Sequence, residues 1–341
     1  MRLRLILLSS FIISFVLTPF LIKLSRRLKV LDYPAERKIH NVPMPRMGGV
    51  AVYLATVVSL SFGIFSSAKL TAIFLGGTLI FIMGLVDDIK HISASSRLLG
   101  QIIASAILIS SGIYIDVFPA GFSFFNYFIT VVWLVGITNA VNYLDGVDGL
   151  ATLLAISILA CFTYIGFISN QFWLLNLIVA LCAALLGFLR YNFPKARIFL
   201  GDCGSNFIGF ILGAVGIMGT WAEDSVVKIF VPVFILGVPI FDMCFTTIMR
   251  IKENKIHDVI EWLEYAGKDH FHHRLMNLGL SRIGVVCLIC ASSIILGISG
   301  IVLYNSERTD AYFMLVQSFF IFVIISILMI MGSRVSCKNQ S

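Results

Sequence analysis

The sequence has few charged residues and no long stretch in which apolar and polar side chains alternate. Charged side chains make up 13% and hydrophobic side chains 59% of its 341 residues, with a mean hydropathy of +0.97. Soluble domains contain about 25% charged residues, so the shortage excludes a soluble multi-domain enzyme, a disordered chain and a disulfide-stapled secreted domain. The missing alternation excludes a β-barrel, because the apolar residues come in blocks of roughly twenty.

The cysteines lie in apolar surroundings, and the first apolar run has no signal-peptide cleavage site. The seven cysteines lie mostly within apolar runs, so we interpret them as small core residues. Cys287 and Cys290 form a C-x-x-C pair inside an apolar run, which leaves a redox or zinc role as the alternative. The segment 3–24 is too long for a signal peptide and has no small-residue cleavage site, so we expect it to stay as a membrane span.

Eleven apolar runs are long enough to cross a bilayer, which predicts an all-α polytopic membrane protein with about 11 transmembrane helices. We expect a single polytopic membrane domain over 1–341, with long loops on one face only. The runs are 3–24, 48–66, 70–86, 98–115, 125–141, 149–168, 172–190, 204–221, 227–248, 282–304 and 311–332. The long loops are about 25–47, 87–97, 142–148, 191–203 and 249–281.

Basic residues predict which face is cytoplasmic. The segments that follow every odd-numbered span hold twenty of the 25 Lys and Arg residues. This bias places the N-terminus outside and the C-terminus in the cytoplasm, and it accounts for the net charge of +7 before any anionic ligand is invoked. All six histidines and most carboxylates fall on the same face, so we expect the active site there. The other face holds Arg2, Arg4, Lys69, Lys228 and Arg308.

Two acidic clusters follow predicted spans. Asp87 and Asp88 end the third span, where a helix C-terminus disfavours anions, so a metal ion or a raised pKa is expected to compensate them. Asn139, Asn142, Asp145 and Asp148 recur at every third position after the fifth span, which on a helix makes one polar strip. Plain charged or solvated helix ends are the alternatives. Oxygen ligands without cysteine favour Mg²⁺ or Mn²⁺ over zinc.

Three further segments carry candidate site residues. Asp202 lies between two glycines just before the eighth span, where backbone N–H groups and the helix dipole favour a phosphate. His270, His272, His273 and Arg274 suit an anionic diphosphate, because their spacing does not match a structural zinc site. The basic segment 37–49 indicates a shaped loop through its prolines and paired glycines, although cytoplasmic loops are often basic without binding anything.

Together these motifs resemble those of the polyprenyl-phosphate N-acetylhexosamine-1-phosphate transferases, in the same order and over nearly the whole chain. The motifs are Asp87-Asp88, Asn139-x-x-Asn142-x-x-Asp145-Gly-x-Asp148-Gly, Phe199-Leu200-Gly201-Asp202-x-Gly204-Ser205 and His270-x-His272-His273-Arg274. The segments 37–49 and 269–275 resemble the branch that starts O-antigen, common-antigen or teichoic-acid linkage units. They are less similar to the peptidoglycan branch, which uses UDP-MurNAc-pentapeptide and stays as the alternative.

The resemblance implies transfer of a sugar 1-phosphate, with GlcNAc 1-phosphate first among the candidates, from a UDP-sugar to undecaprenyl phosphate at the bacterial inner membrane. It implies Mg²⁺ or Mn²⁺ on Asn142 and Asp202, and a catalytic role for Asp87 and Asp88 at the lipid phosphate. The expected substrate-binding residues are Lys38, His40, Arg46, Asn139, Asp145, Asp148, Asn192, His270, His272, His273 and Arg274.

Two other classes of function fit the sequence less well. A coupled transporter places ionisable groups inside its spans, but only Asp242 fits that description here and no internal repeat is evident. A lipid-diphosphate phosphatase needs the same anion-binding groups but no nucleotide site. Membrane lipid is an expected partner and nucleic acid is not, whereas another UDP-aminosugar and a homodimer stay open.

Overall fold

The computed structural model describes residues 1–34, 42–61, 67–224, 226–258, 261–262, 265, 267 and 269–338. In this part of the chain the regular structure is helical apart from one hairpin, in which β1 (Leu31–Asp32) pairs antiparallel with β2 (Met44–Pro45). The helices are α1 (Arg2–Arg27), α2 (Gly48–Ser61), α3 (Ala68–Ile89), α4 (Ala94–Ser110), α5 (Ser123–Tyr143), α6 (Leu150–Ile168), α7 (Phe172–Asn192), α8 (Gly201–Met218), α9 (Val227–Ile235), α10 (Gly237–Lys252), α11 (Phe271–Asn277), α12 (Arg282–Leu303) and α13 (Arg308–Lys338), with a 3-10 turn at Ala120–Phe122.

The helices account for all eleven predicted spans. Within the described residues, eight helices are long and apolar enough to cross a membrane, and α9 with α10 makes a ninth candidate that bends by 79°. The shorter apolar helices α2 and α4 coincide with the other two predicted runs. The prediction of a helical, polytopic membrane protein is therefore confirmed, while the number of crossings and the orientation stay predictions.

The chain packs as two compact units, Met1–Thr220 and Trp221–Ser341, and each is described by itself. In the first unit α8 is the central helix, packed between α3 and α5, and nearly all of its residues are buried. Glycines allow this close packing, because a Cβ at Gly209 would lie 2.8 Å from the Cα of Thr138 on α5. The helices α1 and α2 pack against α7 on the other side.

The second unit contains two short helices, α9 and α10, that together make one bent candidate span. α9 ends at Ile235 and α10 begins at Gly237, with Pro239 in the first turn of α10, where its missing N–H group is tolerated. α12 packs along both halves, and the short α11 contacts α12 and α13. The break brings Asp242, fully buried on α10, close to the start of α11.

Candidate functional site

Close backbone contacts between the starts of α2 and α8 build the first candidate site. The N–H of Phe199 donates to the carbonyl of Pro45 over 2.8 Å, and the N–H of Gly49 donates to the carbonyl of Leu200 over 2.7 Å. A Cβ at Gly49 would lie 2.3 Å from the backbone nitrogen of Gly204, so only glycine permits this approach. The contacts fix β2 and the turn after it against the start of α8.

Asp88 belongs to α3 but caps the N-terminus of α8. Its two carboxylate oxygens accept the backbone N–H groups of Asp202 at 2.9 Å and Cys203 at 3.0 Å. Gly201 makes room for this contact, because its φ is +76° and a Cβ there would lie 2.6 Å from the Asp88 carboxylate. A carboxylate satisfies the unpaired amides and the helix dipole. Two of the amides predicted to bind a phosphate therefore donate to Asp88 in this structure.

Arg46 lies among three carboxylates contributed by different segments. Its Nη2 is 2.8 Å from Asp202 Oδ2 and 3.2 Å from Asp88 Oδ1, and its Nη1 is 3.6 Å from Asp32 Oδ1. In the antiparallel pairing of β1 with β2, Asp32 lies opposite Met44, two residues before Arg46. Burial alone would lower the pKa of Arg46, but the nearby charges, with Asp202 first, outweigh it and raise that pKa.

Asn142 and Asp145 face the same end of α8. The hydroxyl of Ser205, three residues after Asp202, donates to Asn142 Oδ1 over 2.6 Å. Burial and the charge of Asp202 raise the pKa of Asp145 well above its usual range, although Arg46 partly offsets them. The structure therefore brings five predicted site residues together in one acidic cluster, which has more acidic than basic side chains: Arg46, Asp88, Asn142, Asp145 and Asp202.

The donor atoms of this acidic cluster suit a hard divalent cation. Asn142 and Asp202 offer amide and carboxylate oxygens, which Mg²⁺ and Mn²⁺ prefer. Asp145 adds a further carboxylate near Asp202, whose pKa is raised first by burial and then by the charge of Asp202. Among the described residues, however, no group of three His, Cys, Asp or Glu side chains stands ready around a metal position. In this arrangement Asp202 binds Arg46 instead.

Asp87 has a different environment from Asp88, because adjacent residues on a helix point about 100° apart. Its buried carboxylate accepts the backbone N–H of Ile92 at 3.0 Å and Nη1 of Arg97 at 3.1 Å, and Nδ1 of His91 lies 3.5 Å away. Each of the two acids therefore has its own arginine as a source of positive charge, Arg97 for Asp87 and Arg46 for Asp88. Sequence reasoning missed Arg97, although its position one turn into α4 was the available signal.

The predicted polar strip does not continue along a helix. α5 ends at Tyr143, so Asn139 and Asn142 lie on it, whereas Asp145 and Asp148 lie in the turn that follows. The expectation of four groups in phase on one helix is therefore wrong. The two glycines of this stretch, helix-breaking by backbone entropy, explain the early end.

Asp148 and Asn192 hold the connection between α7 and α8. Asp148 Oδ2 accepts the N–H of Ala196 at 3.1 Å. Asn192, which is buried, accepts the hydroxyl of Thr152 at 2.8 Å and donates to the carbonyl of Ile198 at 3.0 Å. Both predicted substrate-binding residues thus make structural hydrogen bonds in this arrangement, and their role toward substrate stays a prediction.

Three other predicted substrate-binding residues lie away from the acidic cluster or outside the described chain. Asn139 Nδ2 donates to Oε1 of Gln101 at 2.9 Å, which joins α5 to α4 in a buried amide pair. Lys38 and His40 lie outside the described residues.

The histidine segment lies in the second unit, and most of it is buried. Arg274 Nε donates to the carbonyl of Asp269 at 2.7 Å, and the ring of His272 lies 4.2 Å from that of His273 and 6.2 Å from that of His270. Neither ring nitrogen of His272 has a hydrogen-bond partner in the described part of the chain. Burial, followed by the neighbouring His273, lowers the pKa of His272 to about 3, so its ring is neutral.

Comparisons with known proteins bear on which family carries these motifs. The family model "Glycosyl transferase family 4" matches residues 70–220, which contain the acidic cluster apart from the hairpin. The chain is 34% identical over 333 residues to a probable undecaprenyl-phosphate N-acetylglucosaminyl 1-phosphate transferase of Bacillus subtilis strain 168, covering 95% of this chain and 90% of that protein. The chain belongs to glycosyl transferase family 4.

Other relatives separate the branches of this family. The chain is 29% identical to a decaprenyl-phosphate N-acetylglucosaminephosphotransferase of Mycobacterium leprae, over 91% of this chain and 86% of the relative. It is 31% identical to a phospho-N-acetylmuramoyl-pentapeptide-transferase of Streptococcus pyogenes, but over only 61% of this chain and 70% of the relative. The likeness to the N-acetylglucosamine branch is therefore the more extensive one, as the sequence motifs predicted.

Proposed function

We propose that this protein transfers N-acetylglucosamine 1-phosphate from UDP-GlcNAc to undecaprenyl phosphate and releases UMP. The product is a lipid diphosphate sugar on which a cell-envelope polysaccharide begins. One observation carries the proposal beyond the family: Arg46, Asp88 and Asp202 meet at the start of α8 although they are far apart in the sequence. A further acidic residue, Asp145, interacts with the charges of the same cluster.

The reaction makes one phosphorus–oxygen bond and breaks another. An oxygen of the lipid phosphate attacks the phosphorus that carries the sugar, and the bond from that phosphorus to the bridging oxygen breaks. The electron pair leaves with UMP. Because a phosphate monoester is largely ionised near neutral pH, with a second pKa of roughly 6, the attacking oxygen needs little help from a base. The main task of the site is to reduce repulsion between two anions.

The residues of the acidic cluster supply position and charge for this reaction. Asp88 fixes the first turn of α8 through the Asp202 and Cys203 amides. Arg46 would donate to the diphosphate, because a guanidinium binds phosphate oxygens through paired hydrogen bonds. Asn142 and Asp202 would hold Mg²⁺ or Mn²⁺, and that ion, when bound, would neutralise diphosphate charge.

The predicted topology and the remaining substrate contacts belong to the same proposal. The excess of Lys and Arg in alternate loops places the acidic cluster at the cytoplasmic face of the bacterial inner membrane. Asp87 meets the lipid phosphate at the membrane surface, and Asp145 with Asp148 takes the nucleotide. His272, His273 and Arg274 contact the sugar diphosphate; His272 and Arg274 are buried, and His273 is partly exposed.

The test is UMP release by the purified protein with a panel of UDP-sugars, undecaprenyl phosphate and Mg²⁺. We expect UMP only when both substrates are present, the fastest turnover with UDP-GlcNAc, and no turnover in EDTA. UMP formation without the lipid would indicate a hydrolase instead. A faster reaction with UDP-MurNAc-pentapeptide or another UDP-aminosugar would change the substrate.

A pair of Asp→Asn variants tests the metal assignment. Asp202→Asn should abolish turnover in a protein that stays folded, because it removes a charged ligand. Asp310→Asn is the matched control, since Asp310 is exposed at the start of α13 and lies in the other unit. Near-normal turnover of Asp202→Asn at low millimolar Mg²⁺ would place the metal on other residues.

A further inference from the structure

A chain of buried charged groups lies behind the histidine segment. Asp242 Oδ2 is 2.9 Å from Nδ1 of His270, and Asp242 Oδ1 accepts the backbone N–H of Phe271 at 2.6 Å. Nε2 of His270 is 3.0 Å from Nη2 of Arg250. Arg250 also makes two parallel hydrogen bonds of 2.8 Å to the carboxylate of Asp269. All four titratable side chains are buried.

The hydrogen-bonding capacity of arginine fixes the protonation of His270. A guanidinium has donors only, so Nε2 of His270 must accept the N–H of Arg250. The proton of the neutral ring therefore sits on Nδ1, from which it is donated to Asp242. Both nitrogens of this ring are used inside the protein. Arg250 in turn is held by Asp269, whose pKa burial would raise but the Arg250 hydrogen bond and charge keep below its usual range.

His272 differs from His270 in its hydrogen bonding. Its ring is 1% exposed, and neither nitrogen has a hydrogen-bond partner among the described residues. Buried polar groups in proteins are nearly always paired, so an imidazole without a partner in the described part of the chain is a candidate to bind a ligand group. Because Phe271 and His272 directly follow His270, the hydrogen bonds that fix the ring and backbone at 270–271 also fix where His272 points.

We propose that Asp242, Arg250 and Asp269 are positioning residues that lock His270 as the Nδ1-protonated neutral tautomer and so present His272 to the sugar diphosphate. This inference rests on the proposed function. It divides the histidines by role: His270 is part of the scaffold, and His272 is the ring that donates a neutral N–H to substrate. It also gives a role to Asp242, the intraspan acid that the sequence offered only as a sign of a transporter.

Asparagine at position 242 cannot satisfy both neighbours. Asp242 accepts two hydrogen bonds on two oxygens, whereas the amide of asparagine has one oxygen and one NH₂ group. If the NH₂ faces His270, the ring must move its proton to Nε2, where it opposes the donor on Arg250. If the NH₂ faces Phe271, it meets the backbone N–H of Phe271, and two donors oppose each other. Either outcome releases the ring or the backbone that positions His272.

Two measurements on Asp242→Asn test the proposal. In protein with ¹⁵N-labelled histidine, with His270→Gln used for assignment, the wild-type spectrum should show His270 neutral and protonated on Nδ1. The variant should lose that signature. In kinetics, the KM for the UDP-sugar should rise roughly tenfold to a hundredfold, the effect of one charge-assisted hydrogen bond. The KM for the lipid phosphate should change by less than about twofold, because the lost contact serves the nucleotide sugar.

Control and companion variants guard against a simple folding defect. Cys244→Ser on the same helix should leave both readouts unchanged, since Cys244 is exposed two residues from Asp242. Arg250→Lys keeps the positive charge but loses the planar set of N–H donors, so it should have the same two effects as Asp242→Asn. It replaces Asp242→Asn as the test if Asp242→Asn does not fold. His272→Gln should raise the same KM, and combining it with Asp242→Asn should add little further.

The outcomes separate this inference from the proposed function. The tautomer is measured without substrate, so wild-type His270 found doubly protonated, or protonated on Nε2, overturns the inference whatever the enzyme does. Normal turnover with an unchanged KM in Asp242→Asn and Arg250→Lys also overturns it, and leaves the transferase proposal standing. Absence of any UMP release from the wild-type protein sinks the transferase proposal, while the tautomer measurement remains decisive for the scaffold role of His270.

Discussion

Replacing Arg46 by glutamine should make the folded protein depend on a divalent cation for its stability. The Arg46 guanidinium contacts Asp88 and Asp202 and lies 3.6 Å from Asp32, while the charge of Asp145 acts on it as well. Glutamine keeps a polar side chain of similar length but removes the positive charge. The carboxylates would then repel one another at the start of α8 until another cation arrives.

The magnitude follows from burial. Removing one partner of a buried ion pair costs about 3–5 kcal/mol, because the other charge is left uncompensated. The Arg46 side chain is 21% exposed and that of Asp202 18%, whereas that of Asp88 is fully buried. Solvent therefore screens part of the network, and we expect a loss of about 2–3 kcal/mol in metal-free protein. Millimolar Mg²⁺ or Mn²⁺ should restore much of it, since the ion supplies the missing charge to the same carboxylates.

The assay is thermal unfolding of wild-type and Arg46→Gln protein in detergent, with EDTA or with Mg²⁺. The variant should unfold at a lower temperature in EDTA and gain more from Mg²⁺ than the wild type does. Arg97→Gln is the matched control, because it also breaks an arginine–aspartate pair, with Asp87, but outside the acidic cluster. Equal gains from Mg²⁺ in wild type and Arg46→Gln would refute the idea that Arg46 and a metal ion serve the same carboxylates.

Three other predictions follow from the sequence and the site. A reporter fused after Ser341 should be cytoplasmic and one after Lys69 external; the reverse pattern would invert the assigned faces. Asp88→Asn should mainly lower kcat, and Asp148→Asn should mainly raise the KM for the UDP-sugar, each roughly tenfold to a hundredfold; steady-state kinetics with each substrate varied would reveal a reversal. Because the pKa of His272 is lowered to about 3 from 6.5, the unfolded chain takes up this proton first as pH falls, and stability is lost below pH 6.5. Between pH 8 and pH 5 the unfolding free energy should fall by about 2 kcal/mol less in His272→Gln than in the wild type. An equal fall in the two proteins would contradict this prediction.

Hydrophobicity predicted where the helices lie but not which way they face. In the part of the chain that the structure describes, each predicted apolar run contains a helix, because a chain in lipid must satisfy its backbone hydrogen bonds internally. In contrast, spans that are apolar all round carry little information about helix rotation. The sequence therefore could not predict the partners of the two adjacent acids. The rotation of α3 decides that Asp88 contacts Arg46 and that Asp87 contacts Arg97.

Two other features were missed for different reasons. The end of α5 at Tyr143 was readable from the glycines that follow, and only the three-residue spacing of the polar groups obscured it. The pairing of Asp242 with His270 spans 28 residues and depends on the break between α9 and α10, which no local pattern predicts. An ionisable residue within a membrane span is nevertheless a functional signal in its own right, which makes Asp242 a candidate site residue from the sequence alone.

The glycine contact between α2 and α8 limits how this enzyme can change during evolution. A methyl group at Gly49 would strike the backbone of Gly204, and backbone atoms, unlike a side chain, cannot rotate out of the way. No single second-site substitution can therefore compensate, because only a shift of one whole helix would restore the space. Because the distance between these two helices is fixed, the separation of Arg46, just before α2, from Asp202, at the start of α8, is fixed as well. Selection for a new sugar or lipid acceptor must consequently act on the loops around this junction and leave its dimensions untouched.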